Sequence, residues 1–486
     1  VAQPHPQVDV LGIEREHLPL LERSRQALFD FRLNEAERLL ERVLADGSPR
    51  PYAYFMYVSV AFWRAMVEDV ESAYDRFYLR SDSLLSRLEA TERTKWKRLI
   101  RAEAYLQRAV ILGKTEQFLR AAWAGRTVYH SYANLVDDHS EFYPAYYGMG
   151  LVHVLLGSLP GTYRWILARI GISGTVEGGL RELTLAAEKS AFNGVHARAT
   201  LGVIDIILNQ EKEQGVERLR KLHEAHPNSL MFAHLYGYGL YSIRDAPRAQ
   251  EVFETALEKR ENSAYHFIDF VTFYLGEVYF VQNKFGRAEQ SYREFLENYR
   301  GHALIALARL RCGLALEMQD QHEEAREYYR RVSSERSFDS DEYALRTAAE
   351  RLENPMTETE RRLLRGANHY EAGLYESAVE VLMPVYNNPE LQPVERAEAA
   401  FYLGRVRHAQ DRPKDALTYY GHAANDPGDR SEKWLPWSQF YIGTIYAEWG
   451  ESGKARALFE QVLSYDHEYD YKKALEQRTH TAMDTL

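Results

Sequence analysis

The 486-residue chain contains a single cysteine, Cys312. No disulfide can form within it, which excludes a bridge-stapled fold, and its place before a repeated glycine marks Cys312 as a core position. No run of 18 uncharged apolar residues occurs, which argues against a membrane span. The nearest approach, Leu151–Ser173, is interrupted by Pro160, Gly161, Arg164 and Arg169 and reads as a buried helix pair. Basic residues are in deficit: 60 Lys and Arg face 71 Asp and Glu, a formal net charge of -11. A nucleic-acid surface needs a concentrated basic face instead. The densest basic strip, Arg93, Lys95, Trp96, Lys97, Arg98 and Arg101, reads as a solvated helix face. Lysine is scarce, 13 against 47 arginines, the bias of a GC-rich genome, and points to a bacterial source.

Chemistry-bearing motifs are also lacking. The histidines of His223-Glu224-Ala225-His226 stand three apart, not in the H-E-x-x-H arrangement of a zinc helix, and the segment reads as an exposed helix end before Pro227. Asp466, His467, Glu468 and Asp470 match no calcium loop and read as a solvated turn. Gly148-x-Gly150 and Gly237-x-Gly239 follow no strand and lie in aromatic helical stretches, where glycine serves close helix packing. No G-x-S-x-G elbow is found. The chain is therefore expected not to be an enzyme, with no catalytic residue, cofactor or metal site.

What the sequence does contain is a recurring spacing. Six times a glycine precedes an alanine by twelve residues: Gly237/Ala249, Gly276/Ala288, Gly313/Ala325, Gly366/Ala378, Gly404/Ala416 and Gly443/Ala455. Antiparallel helices approach closely where both carry small residues, so each pair marks one helix hairpin. A bulky residue precedes the glycine, and aromatic or aliphatic ones follow the alanine by four and seven, as in Leu403-Gly404, Ala416, Tyr420, Ala423. This unit resembles the tetratricopeptide repeat. Successive glycines lie 39, 37, 53, 38 and 39 residues apart, and the long gap calls for an extra helix, Asp341–Leu352. The expected fold is all-α, a right-handed α-solenoid of tetratricopeptide-like helix pairs.

Residues 1–12 read as an extended tail, 13–190 as irregular N-terminal helical repeats, 191–467 as regular repeats and 468–486 as a capping helix. Helices are predicted over Leu18–Phe31, Asn34–Ala45, Thr94–Leu112, Thr115–Leu135, Tyr143–Leu156, Tyr163–Ile170, Val176–Lys189 and Asp470–Thr485, with Pro49 and Pro51 closing the first pair. Ala27-Leu28-Phe29-Asp30-Phe31 with Asn34–Leu40, Ile170–Gly174 with Gly178-Gly179-Leu180, and Tyr465-Asp466 with Arg478-Thr479-His480 resemble the tetratricopeptide repeat protein 39 and inclusion-body-clearance family, which has bacterial relatives. The resemblance implies an all-helical adaptor without known chemistry; eukaryotic members are connected with lipid handling and protein turnover.

In such a superhelix the first helix of each pair lines the concave face. Offsets -6, -3, +1, +4 and +5 from the glycine project His234, Tyr238, Tyr241, Phe270, Phe273, Phe280, Tyr370, Phe401, His408, Trp437 and Phe440 onto it. These rings suit an apolar helix or extended peptide, and the face has no lysine to form a carboxylate clamp. The function expected is a non-catalytic scaffold or adaptor for a protein partner, or a peripheral subunit of a larger assembly. The alternative is a carrier of a hydrophobic small molecule or lipid, motivated by Leu151–Ile172 and the aromatic groove. The start at Val1-Ala2-Gln3-Pro4 rather than methionine fits removal of a secretory signal or simple trimming; the former favours a periplasmic over a cytoplasmic location.

Overall fold

The protein is described by a computed structural model over residues 17–48, 50–89, 94–159, 169, 171–208, 211–258, 268–333, 339–425 and 433–486. Among these residues there are 24 α-helices and no strand, the all-α class expected. The tail 1–12, the Pro160-Gly161 break and the helix Tyr163–Ile170, apart from Arg169, lie outside the described residues. The chain divides into two compact units, one of residues 1–243, 251–271 and 299–303, the other of 244–250, 272–298 and 304–486.

The first unit contains α1 (Leu18–Phe29), α2 (Leu33–Leu44), α3 (Pro51–Glu68), α4 (Glu71–Glu89), α5 (Lys95–Lys114), α6 (Phe118–Asp138), α7 (Pro144–Gly157), α8 (Val176–Lys189), α9 (Gly194–Ile207), α10 (Lys212–Ala225) and α11 (Leu230–Ser242). They pack as the pairs α1·α2, α3·α4, α5·α6, α7·α8 and α9·α10. Pro51 and Pro144 open helices, since proline's missing N–H is harmless in the first turn. Thr94, Thr175 and Ser229 cap α5, α8 and α11 by accepting from the backbone N–H three residues on. A close crossing joins α7 and α8 through two glycines. A Cβ on Gly150 would lie 2.8 Å from the Gly179 carbonyl oxygen, and one on Gly179 2.6 Å from that of Gly150. The close-packing purpose expected of Gly148 and Gly150 is thus met. The Ser190–Gly194 junction falls inside this unit, where buried Asn193 donates to the Pro144 carbonyl at 2.9 Å.

The second unit contains most of α13 (Ile268–Val281), α14 (Phe285–Asn298), α15 (Ile305–Glu317), α16 (His322–Arg330), α17 (Asp339–Glu353), α18 (Glu358–Glu371), α19 (Tyr375–Tyr386), α20 (Pro393–Ala409), α21 (Pro413–Asn425), α22 (Trp434–Glu448), α23 (Ser452–Leu463) and α24 (Lys472–Asp484); α12 (Ala246–Glu258) gives residues 246–250 to this unit and the rest to the first. Helix α17 supplies the element required by the long gap and packs on α15 and α16.

One device recurs at each hairpin. Seven residues past the repeated glycines, Arg244, Asn283, Asp320, Gly373, Asp411 and Gly450 all take positive φ, between 55° and 79°. The next N–H reaches back to a carbonyl near the helix end, Lys284 to Tyr279 at 2.9 Å, Leu374 to His369 at 2.8 Å and Arg412 to Arg407 at 2.9 Å. This left-handed cap satisfies carbonyls the helix leaves open and holds the turn at constant length, which keeps the second helix, and its alanine, in register.

The glycine itself meets something other than the expected alanine. A Cβ built there would lie 2.5 Å from Phe253 at Gly237, 2.8 Å from Tyr292 at Gly276, 2.4 Å from Tyr329 at Gly313, 2.4 Å from Leu382 at Gly366, 2.6 Å from Tyr420 at Gly404 and 2.7 Å from Phe459 at Gly443. Each partner stands sixteen residues past its glycine, four past the alanine. The glycine makes room for a large side chain of the second helix, while the alanines, 0–1% exposed, fill the seam.

Candidate partner-binding site

The projected ring face divides into two sets. His234, Phe273, Phe280, Tyr370, Phe401 and Phe440 are buried, whereas Tyr238, Tyr241, Phe270, His408 and Trp437 are half-buried. For the buried set the expectation of a groove contact is corrected. At about 100° per residue, offsets -3 and +4 lie within about 60° of the glycine and share the stripe that faces the second helix. All four rings at offset -3 pack there: His234 on Phe253, Phe273 on Phe295, Phe401 on Tyr420 and Phe440 on Phe459, with centroids 6.3, 5.3, 6.2 and 5.7 Å apart. Burial pushes the His234 imidazole down to about 3, so it packs as a neutral ring. Offsets -6, +1 and -2 lie about 100–160° away from the glycine, on the opposite side of the first helix. In the first unit this side carries Tyr238 and Phe270, the latter against Tyr299 at 5.3 Å.

In the second unit the first helices α18, α20 and α22 touch in sequence. At their contact lies Arg405, at offset +1 and half-buried, a cation on a face that has no lysine. Its guanidinium carbon lies 4.2 Å from the Tyr441 ring centroid, 5.0 Å from Tyr370 and 5.8 Å from Phe401. Tyr441 stacks on Tyr420 at 5.5 Å and 16°, and on Trp437 at 6.0 Å. Arg244 lies 4.5 Å from the other contacts' shared ring, Tyr370, and bonds Glu371 at 3.1 Å. His408 stands 3.7 Å from Glu448, its imidazole held below the ordinary range by burial. The Tyr420 hydroxyl is buried without a hydrogen-bond partner among the described residues. The geometry thus sets Tyr370 and Phe401 of the projected face against Arg405, joins His408 and Trp437 to them through Tyr420 and Tyr441, and leaves Tyr238, Tyr241 and Phe270 elsewhere.

Other sequence features are structural. His223 stacks on Tyr236 at 5.6 Å and His226 packs on Phe29 and Phe232, so the two histidines are half-buried, while Glu224 and Ala225 between them are exposed as expected. Asp466 pairs with His467, Glu468 with Lys472 and Asp470 with Arg346. In the basic strip Trp96 is core, Arg98 pairs with Asp138 at 2.8 Å and Arg101 with Glu89 at 3.8 Å; Arg93 lies outside the described residues. Cys312 is fully buried, its thiol pushed up to about 12 by that burial.

The repeated glycine with the large side chain it admits, the left-handed turn and the row of first helices define an all-α protein built of repeated helix pairs. Residues 273–340, from α13 into α17, match the family model described as tetratricopeptide repeat. No curated protein matches the chain. Among solved structures it is similar to a tetratricopeptide repeat protein from Parabacteroides merdae ATCC 43184, with a TM-score of 0.30 and 13% identity over 58% of this chain and 96% of that one. It is also similar to a chain of the APC/C hetero-tetramer Cut9-Hcn1, with a TM-score of 0.27 and 14% identity over 98% of this chain and 91% of that one. At such TM-scores neither likeness fixes the arrangement of the repeats.

Proposed function

We propose that the protein is a non-catalytic scaffold that holds a segment of a protein partner along the first helices α18, α20 and α22. The observation that carries this reading is the half-buried row of Arg405, Trp437 and Tyr441 on the side of those helices turned away from their own second helices, with His408 at its edge against Tyr420. Flat rings give contact area at small rotamer cost, and an arginine fixes the register of a bound segment. Within the repeat superfamily, the segments around Ala27–Leu40 and Gly178–Leu180 support a relation to the tetratricopeptide repeat protein 39 and inclusion-body-clearance family.

The test is affinity capture from native extract with the full chain and with Trp437→Ala and Tyr441→Ala. A partner held on this face should be lost from both variants, an anchoring ring contributing about 2 kcal/mol or more. Recovery of the protein alone as a monodisperse monomer, or a partner retained equally by all three, would count against the proposal. The lipid-carrier alternative draws on Leu151–Ile172, much of which lies outside the described residues. Native mass spectrometry with lipid extraction separates the two readings.

A further inference from the structure

Resting on that reading, we infer that Arg405 is a carboxylate-binding site for an acidic residue of the partner segment. Four other enclosed arginines each bond a carboxylate. Arg64 bonds Glu37 at 3.0 Å, Arg351 bonds Glu360 at 2.9 Å, Arg311 bonds Glu277 at 3.0 Å and Arg244 bonds Glu371 at 3.1 Å. Each of these guanidiniums is given an anion and half-buried Arg198 a backbone carbonyl, that of Ala187 at 2.7 Å, because a charge removed from solvent without an acceptor is strongly disfavoured.

Arg405 departs from this pattern. Among the described residues it makes no hydrogen bond or ion pair, and its contacts are the rings of Tyr441, Tyr370 and Phe401. Rings cover the faces of a guanidinium through their negative π clouds. They leave its five in-plane N–H donors unanswered, and that edge is the one a carboxylate engages in a two-point bond. The nearby acids are already committed, Glu371 to Arg244 and Glu448 toward His408. Beneath Tyr441 the fully buried Tyr420 hydroxyl makes no hydrogen bond among the described residues, so it supplies no acceptor to Arg405 either. In a chain of net charge -11 Arg405 is a local positive centre framed by aromatic surface. Its complement is a peptide carboxylate, with an apolar neighbour to lie on Trp437 and Tyr441.

The probe is a dodecapeptide selected from a random display library on the full chain. Each selected peptide is then remade with its acidic residue neutralised (Asp to Asn or Glu to Gln) or its C-terminus amidated, and read by fluorescence anisotropy. Selected peptides should share an acidic residue or a required free C-terminus, and its neutralisation should weaken binding about tenfold or more. The same neutralisation should change binding by less than about twofold in Arg405→Gln, with Arg405→Lys intermediate because it keeps charge without the planar fork. If Arg405→Gln loses its helical circular dichroism, Arg405→Lys carries the comparison. Peptides that bind, are weakened by Trp437→Ala, yet need no carboxylate would overturn the inference and leave the scaffold reading standing. So would an unchanged neutralisation penalty in the Arg405 variants. Failure of the display to yield any peptide sensitive to Trp437→Ala would remove both.

Discussion

A missing side chain decides where each hairpin closes. At Gly404 the space a methyl group would occupy belongs to the Tyr420 ring, 2.6 Å away, so Gly404→Ala should lower stability by about 1–3 kcal/mol through overpacking. Gly421, on α21, has nothing within 4 Å of the same point. There Gly421→Ala should raise stability by about 0.5–1 kcal/mol, because only the backbone-entropy term of a helical glycine remains. Urea unfolding of the two variants checks both signs. A second prediction concerns His234, whose folded value of about 3 lies below the ordinary 6.5 through burial. Between these values the unfolded chain binds a proton that the folded chain refuses, so stability falls as pH drops through that window. Half-buried His196, pushed down to about 4 by desolvation, acts in the same direction. Replacing His234→Leu should flatten the fall of the urea midpoint between pH 6.5 and 3, and an unchanged slope would show that the imidazole titrates freely. At this scale the sequence was only half legible. The glycine was visible; its ring partner sixteen residues on was not read as such, and offsets -3 and +4 were taken for groove because an angular projection does not say where the second helix lies.

At the level of helices the reading was close where local signals are strong. Helix α8 was predicted to the residue, and α1, α5 and α7 to within about two residues, since caps and opening prolines act through adjacent backbone groups. Pro51 opens α3 as well as following α2, a role that its place in the first turn permits. The left-handed position seven residues past each glycine went unread, because Arg244, Asn283, Asp320, Gly373, Asp411 and Gly450 share a backbone conformation rather than a side chain. Two predictions belong here. Asp411→Gly should raise the urea midpoint by an amount equivalent to about 0.5–1 kcal/mol, glycine entering the left-handed region without Cβ strain. Thr357→Ala should cost about 1 kcal/mol, because Thr357 and Glu360 bond each other's backbone N–H at 3.1 and 2.6 Å at the start of α18.

Over the whole molecule, stability is a sum of repeats and their neighbour contacts, so a local lesion should stay local. Hydrogen exchange of Gly404→Ala should therefore show lost protection in α20 and α21 with α7 and α8 unchanged; uniform loss across both units would mean that they unfold as one. The expected transition near Ser190–Gly194 lies within the first unit, since the buried Asn193 ties that turn to the start of α7 through a contact across 49 residues of chain. By itself the sequence determined the all-helical class, the hairpin period and the ends of helices with strong local signals such as α1, α5, α7 and α8, because these follow from spacing and from groups a few bonds apart. Only the tertiary structure decided which rings are core and which stay half-buried along the first helices, and it alone left Arg405 among aromatic faces without a bonded anion. Burial and charge pairing are set by residues that α18, α20, α21 and α22 bring together from distant points of the chain, and no local pattern specifies that meeting.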